Sequence, residues 1–256
     1  MIRAGRMVQR NALVYRRVWR GSLFFSFLQP TLFLVAMGIG VGRLVERGDT
    51  SILGGVAFLD FLAPGLLAAA CMQTATFESS FPITGKMTWQ RNYEGISATP
   101  MRIVDMVLGE LGWIAVRLLM VAGAFTAVIA VFGVPRSRLA LLAIPAAVLT
   151  GLAFSAPIMA YAATQRTGVG FTGLFRFIIT PLFLFSGVFF PITRLPLPLQ
   201  RVARFTPLFH GVELVRGLTL NTLKSPAWLV DVTYLVLMTG IGILASLWTF
   251  RRKLRL

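Results

Sequence analysis

Residues 100–132 read PMRIVDMVLGELGWIAVRLLMVAGAFTAVIAVF, and this stretch decides the fold. After Asp105 the only charges are Glu110 and Arg117, while apolar residues fill every face of the helical wheel. An apolar run of ~20 residues is what the ~30 Å hydrocarbon core of a bilayer requires of a spanning helix. Thr99-Pro100 reads as an N-cap followed by proline at the first helical position, so the helix is expected to open there. At 1.5 Å per residue it is longer than the bilayer is thick, which leaves its first turns outside the hydrocarbon or along its edge.

The run is repeated along the chain. Further spans are expected near Ser22–Val41, Ala57–Phe77, Leu139–Thr164, Phe171–Phe190 and Ala227–Phe250, six in all with 100–132. The composition agrees: 256 residues, 56% hydrophobic and only 13% charged, about half the charge that a soluble domain uses to cover its surface. The Ser22–Val41 run is too long for a signal-peptide core and has no small-residue cleavage site, so it reads as a retained span. Fold class is therefore all-α integral membrane, one domain over residues 1–256.

The net charge of +16 invites a nucleic-acid reading, but the basic residues sit just outside apolar runs, as at Arg16, Arg17 and Arg20 or Arg251, Arg252 and Lys253. That is the placement of topology signals and lipid-headgroup contacts, and no nucleic-acid partner is expected. Fourteen basic residues fall on the side carrying both termini and nine on the other, which predicts cytoplasmic termini. Residues 1–21 form an arginine-rich amphipathic helix expected to lie in the interface, with Met7, Val8, Val14 and Tyr15 toward the apolar side. Its arginines would face lipid phosphates.

Catalytic patterns are scarce. Gly85-Lys86 is followed by Met87 and lacks the upstream glycine of a phosphate-cradling loop, so no cofactor is expected on this chain. One cysteine (Cys71) and one histidine (His210) exclude a disulfide within the chain and make a metal centre improbable chemistry. A serine protease would have to pair His210 with Ser186.

Two interspan regions carry more information. Residues 78–99 are polar and rich in turns, and are expected to face the cytoplasm. Residues 191–226 are semi-apolar: Pro191 should end the fifth span, Leu199–Phe205 should form a short helix between Pro198 and Pro207, and Thr206-Pro207 should cap another through Arg216, stopped by Gly217. Glu213 and Arg216, three apart, can pair on one face. Two short helices between apolar spans predict a re-entrant element dipping into the outer leaflet. Within the bilayer, Glu110 and Arg117 lie seven apart on one helix face and could line a polar pathway, since charge there is costly and usually functional.

Ser186-Gly187, Phe190-Pro191, Leu195-Pro196 and Pro207-Leu208-Phe209-His210 followed by Arg216 resemble the C-terminal signature of ABC type-2 export permeases. Phe61-Leu62-Ala63-Pro64-Gly65-Leu66 with Ala75-Thr76-Phe77-Glu78, and Val107-Leu108-Gly109-Glu110, resemble the branch that exports nodulation factors, which are lipo-oligosaccharides. The resemblance covers most of the chain. It implies a non-catalytic permease subunit of the bacterial cytoplasmic membrane, paired with a second copy or a paralogue and with two ATP-binding subunits that hydrolyse the ATP. It implies an amphiphilic cargo: a lipo-oligosaccharide, a lipid-linked glycan or a hydrophobic drug. Glu78, Arg91, Tyr93, Glu94 and Gly95 occupy the family's ATPase-coupling segment, although Arg91–Gly95 departs from the commoner Glu-rich version. The competing class, an ATP-independent secondary transporter or channel, predicts broken helices in two matching halves, and no internal repeat is visible.

Overall fold

A computed structural model describes residues 2–17, 21, 28, 31–42, 56–90, 92–97, 99–135, 137–223 and 226–254, all of it helix, turn or irregular chain with no strand among these residues. Among the described residues four helical stretches are long and apolar enough to cross a membrane: Phe58–Trp89, Ile103–Val131, Arg138–Thr164 and Ala227–Leu254. Residues 22–27, 29 and 30 of the expected first span lie outside the described residues, as do Trp19, the 43–49 loop and Arg91. Its end, residues 31–42, is helical, with a π-helical section at Val35–Val41.

The elements are α1 (Ile2–Tyr15), α2 (Phe58–Ser79), α3 (Phe81–Thr84, continuing into a π turn Gly85–Trp89), α4 (Asn92–Ser97) and α5 (Ile103–Val131). They are followed by α6 (Ala143–Thr164), α7 (Val169–Leu174), α8 (Thr180–Phe185), α9 (Leu197–Arg204), α10 (Pro207–Leu220) and α11 (Ala227–Leu254). α6 is the central post, packed against α2, α5, α10 and α11. Its sequence explains the position: Ala146, Ala147, Gly151, Ala153, Ser155, Ala156, Ala162 and Ala163 are small and buried. Without a hydrophobic drive inside lipid, helices associate where small residues let backbones approach. Short polar bonds reinforce the contacts, with Ser79 and Ser155 hydroxyls 2.6 Å apart and Ser246 donating to the Ala156 carbonyl at 2.8 Å. Each is worth about 0.6 kcal/mol in a bilayer.

Three helix boundaries differ from the sequence expectation. α5 begins at Ile103, not at Pro100, because the Asp105 carboxylate accepts the Arg102 backbone N–H at 3.1 Å and closes the first turn there. Thr99 instead donates back to the Ile96 carbonyl at 2.6 Å. The fifth apolar stretch ends at Phe185, short of Pro191; the 17-residue helix Val169–Phe185 contains a π turn at Phe175–Ile179 and spans roughly 25 Å at helical rise, less than the hydrocarbon core. Gly187 then adopts φ +83°, a conformation that favours glycine, and turns the chain back. α10 runs through Gly217 to Leu220 and is stopped by Asn221 in the left-handed conformation (φ 58°).

α9 and α10 sit where two short helices were expected. Pro198 lies in the first turn of α9 and Pro207 in that of α10, whose Thr206 cap accepts the Phe209 N–H at 3.3 Å. α10 is buried along most of its length against α2, α6 and α11.

α1 is the arginine-bearing helix at the N-terminal end. It packs along α5, where Met7 fills the space above Gly109: a β-carbon added there would lie 2.6 Å from Met7 Cβ. Polar Asn11 is buried on this face with Met7, while Leu13 and Val14 are exposed. A buried carboxylate on α5, described next, makes Asn11 the better inward residue.

Candidate functional site

Two polar joints tie the bundle, one at each end of α2. Glu78 marks one end and Phe61 the other, about 25 Å apart at helical rise.

The first joint is centred on Glu110, a 1% exposed carboxylate on α5. Lys86 Nζ, from the π turn after α3, donates to both of its oxygens at 2.8 Å. Asn11 Nδ2, from α1, donates at 3.0 Å, and Tyr93 Oη, from α4, at 3.0 Å. Lys86 also donates to Asn11 Oδ1 at 3.3 Å. Four helical segments thus meet at one carboxylate. A buried charge is tolerable only when paired and hydrogen-bonded, and Glu110 has both kinds of partner. Burial, and then the Glu110 carboxylate, push the Tyr93 phenol well above the usual tyrosine range, so it remains a donor. The Tyr93 ring also meets Phe250 of α11, with centroids 5.5 Å apart.

Two turns along α5, Arg117 Nε donates to Glu78 Oε1 at 3.1 Å, and its guanidinium lies 4.3 Å above the Tyr15 ring. Tyr15 in turn meets Trp113 edge-on at 5.6 Å. Glu110 and Arg117 do face the same way, yet each finds a partner in another segment of the bundle. Residues 78–99 are therefore fastened to α5 at two places: Glu78 to Arg117, and Lys86 with Tyr93 to Glu110. Gly95 is exposed, and of Glu94 only the backbone is described.

The second joint is centred on Arg216, 9% exposed, on α10. Nε donates to the Phe61 carbonyl at 3.2 Å, Nη2 donates to the same oxygen at 3.2 Å and to the Gly187 carbonyl at 2.8 Å, and Nη1 donates to Glu213 Oε1 at 3.2 Å. The guanidinium also covers the Phe61 ring at 3.8 Å. Only the planar fork of arginine can serve acceptors in these three directions at once. Close approach is needed: a β-carbon on Gly65 would lie 3.1 Å from the Val188 backbone and 3.2 Å from Arg216 Nη2. Ser186 bonds Thr206 (3.0 Å), the cap of α10, so the turn after α8 is locked to the start of α10. Pro191 precedes a 3-10 turn, Ile192–Arg194.

His210 Nδ1 lies 2.7 Å from Asp231 Oδ1 of α11, and its ring stacks on Tyr234 at 4.1 Å. The Tyr234 hydroxyl donates to the Phe205 carbonyl. His210 thus pairs with Asp231 and Ser186 with Thr206, the arrangement of helix fasteners, not of an activated serine nucleophile. No group of three or more His, Cys, Asp or Glu able to hold a metal occurs among the described residues, and Cys71 is buried and free.

Sequence reasoning singled out Glu78, Tyr93, Glu110, Arg117, His210, Glu213 and Arg216, but it missed Asn11, Lys86, Asp231 and Tyr234 as partners. The available signals were Asn11 four residues after Met7 on one face, Lys86 between apolar Ile83 and Met87, and Asp231 as the single acid of its span.

The family model of the ABC-2 type transporter matches residues 4–220. The chain is 34% identical over 213 residues to Nodulation protein J of Rhizobium leguminosarum bv. trifolii, covering 83% of this chain and 79% of that protein. It is 32% identical over 246 residues to Nodulation protein J of Bradyrhizobium diazoefficiens, covering 96% and 92%. It is 25% identical over 200 residues to the inner membrane transport permease YadH of Escherichia coli, covering 78% and 75%. No solved structure matches it. The matched region takes in both polar joints from Asn11 to Arg216, and the chain belongs to the ABC-2 type transporter family, as a membrane transport permease.

Proposed function

We propose that this chain is the membrane half of an ATP-driven exporter in a bacterial inner membrane, with both termini in the cytoplasm. Two ATP-binding subunits bind beneath residues 78–99, and a second copy of the permease, or a paralogue, completes the conduit. The cargo is an amphiphile drawn from the cytoplasm or inner leaflet: a lipo-oligosaccharide, a lipid-linked glycan or a hydrophobic drug. The resemblance to the lipo-oligosaccharide branch supports that class, and the fourteen-to-nine bias of basic residues supports the orientation.

The observation that carries the reading is the convergence of Lys86, Tyr93 and Asn11 on Glu110. A displacement of residues 78–99 by closing ATP-binding subunits cannot be absorbed locally, because breaking the joint strands a buried carboxylate. The movement passes instead to α5 as a rigid element, and to α1, which rests on it. Glu110 and Arg117 then act as the struts of the pathway wall, while Glu94, Gly95 and Arg91 belong to the face that meets the ATP-binding subunit.

The test is purification of the tagged permease from its native membrane. An ATP-binding subunit is expected to accompany it, Glu94→Arg is expected to strip that subunit away, and amphiphiles are expected to stimulate ATP hydrolysis by the assembled complex. A permease that purifies alone and moves ions or cargo without ATP would establish the secondary transporter or channel in its place.

A further inference from the structure

Between the start of α2, the second half of α10 and the first turns of α11 lies a cavity of about 410 Å³, within the size range of small-molecule sites. Its charged lining is Glu213, Arg216 and Asp231, with Thr222 beside them, and its aromatic walls are Phe61 and Trp228. Leu220 and Leu223 make it greasy on one side.

The hydrogen-bond inventory selects the ligand. Four of the five N–H groups of Arg216 already serve Phe61, Gly187 and Glu213, so the guanidinium is a poor receptor for an anion. Each carboxylate, by contrast, has one oxygen engaged: Glu213 Oε1 by Arg216, and Asp231 Oδ1 by His210. Their second oxygens have no protein donor among the described residues. With His210 counted as neutral, two carboxylates against one guanidinium leave the lining with an excess of negative charge, in a chain whose net charge is +16 on the same count. Trp228, one turn before Asp231 on α11, is 39% exposed and offers an indole face, the aromatic surface that best attracts a cation.

We propose that this cavity binds an amphiphilic ammonium: a protonated amine held by Glu213 and Asp231 beside Trp228, with its alkyl part against the leucines and Phe61. A neutral polyol would supply donors without balancing the charge. An alkyl alcohol would fill the greasy side alone. The location at the outer end of the conduit rests on the orientation proposed above, whereas binding itself needs neither ATP nor a partner subunit, so the two readings fail separately.

The experiment is a tryptophan-fluorescence titration of the purified full-length permease in lipid nanodiscs, with hexylamine and with hexan-1-ol as probes. Hexylamine is expected to produce a saturable change that Trp228→Phe removes. Glu213→Gln and Asp231→Asn are each expected to weaken the hexylamine midpoint at least tenfold, and hexanol is expected to show no saturable component. Glu213 is half exposed, so its variant stands in if Asp231→Asn, which also touches His210, does not fold. Equal responses to amine and alcohol, a signal that survives Trp228→Phe, or an unchanged midpoint in Glu213→Gln would overturn the proposal.

Discussion

Lys86 and Glu110 lie 24 positions apart in the chain and 2.8 Å apart in space, and their ion pair joins the turn-rich segment after α3 to the long helix α5. The lysine is 17% exposed and the carboxylate 1%, so the pair is largely removed from solvent. Its effect on the fold is asymmetric. Keeping the pair stabilises modestly, because desolvation offsets much of the attraction, whereas removing one partner leaves the other charge stranded.

Lys86→Met should therefore destabilise the protein by about 3–5 kcal/mol. The double variant Lys86→Met/Glu110→Leu should recover much of the loss, since no uncompensated charge remains. Thermal unfolding followed by fluorescence-detected size exclusion measures both. A double variant no better than Lys86→Met would show that the pair is not the source of the defect.

Tyr93→Phe removes one donor to Glu110 and should cost about 1.5–3 kcal/mol, the range for a hydrogen bond to a charged group. It should also change the alkaline limb of stability. The folded-state phenol is raised above its ordinary value near 10, so its contribution is complete below that pH and is lost as pH rises toward the folded value. Between pH 10 and 11 the native protein should lose stability more steeply than Tyr93→Phe. Parallel curves for the two proteins would contradict the burial of the phenol.

Arg216→Lys keeps the charge and loses the fork. Lysine cannot reach the Phe61 and Gly187 carbonyls and Glu213 together, and each buried acceptor left unpaired costs about 1–3 kcal/mol. The variant should fold less stably and lose transport in the same measurement series. Retention of wild-type stability would mean that water replaces the guanidinium without penalty.

Gly187→Ala forces a side chain into the left-handed region at φ +83° and should cost about 1–2 kcal/mol. The strain falls on the turn that carries the chain from α8 to α9, so protease cleavage between residues 186 and 196 should become faster. A change at the neighbouring Val188, whose φ is negative, should not have that effect through the backbone.

Gly109→Leu should lift α1 away from α5. An added β-carbon already falls 2.6 Å from Met7 Cβ and 3.0 Å from the Ala4 carbonyl, so the larger side chain cannot be accommodated by a rotamer change. Spin labels at Gln9 and on α5 should report a longer, broader distance distribution than in the unaltered protein.

The apolar runs and the proline caps are local signals, and they placed the spans and the short helices α9 and α10 in the sequence itself, whereas the central position of α6 emerged only from the packing. Boundaries were harder to read. The start of α5 depended on whether Thr99 or Arg102 found a better cap, and the end of α8 on a backbone turn at Gly187. The polar joints were half visible: Glu110 and Arg117 stood out as costly charges, His210 and Arg216 as part of the signature, and Glu213 as a partner for Arg216, but the other partners did not.

Intrinsic chemistry along the chain was thus sufficient to determine a helical membrane protein, its basic flanks and the residues whose charge needed an explanation. Hydropathy and caps act over a few turns, so they can be read without knowing the neighbours. Only the tertiary structure decided that Glu110 is held by Asn11, Lys86 and Tyr93, that Arg216 grips the carbonyls of Phe61 and Gly187, and that Asp231 stands beside His210. Those pairings join segments 17 to 155 residues apart, and such contacts form only after the helices have packed.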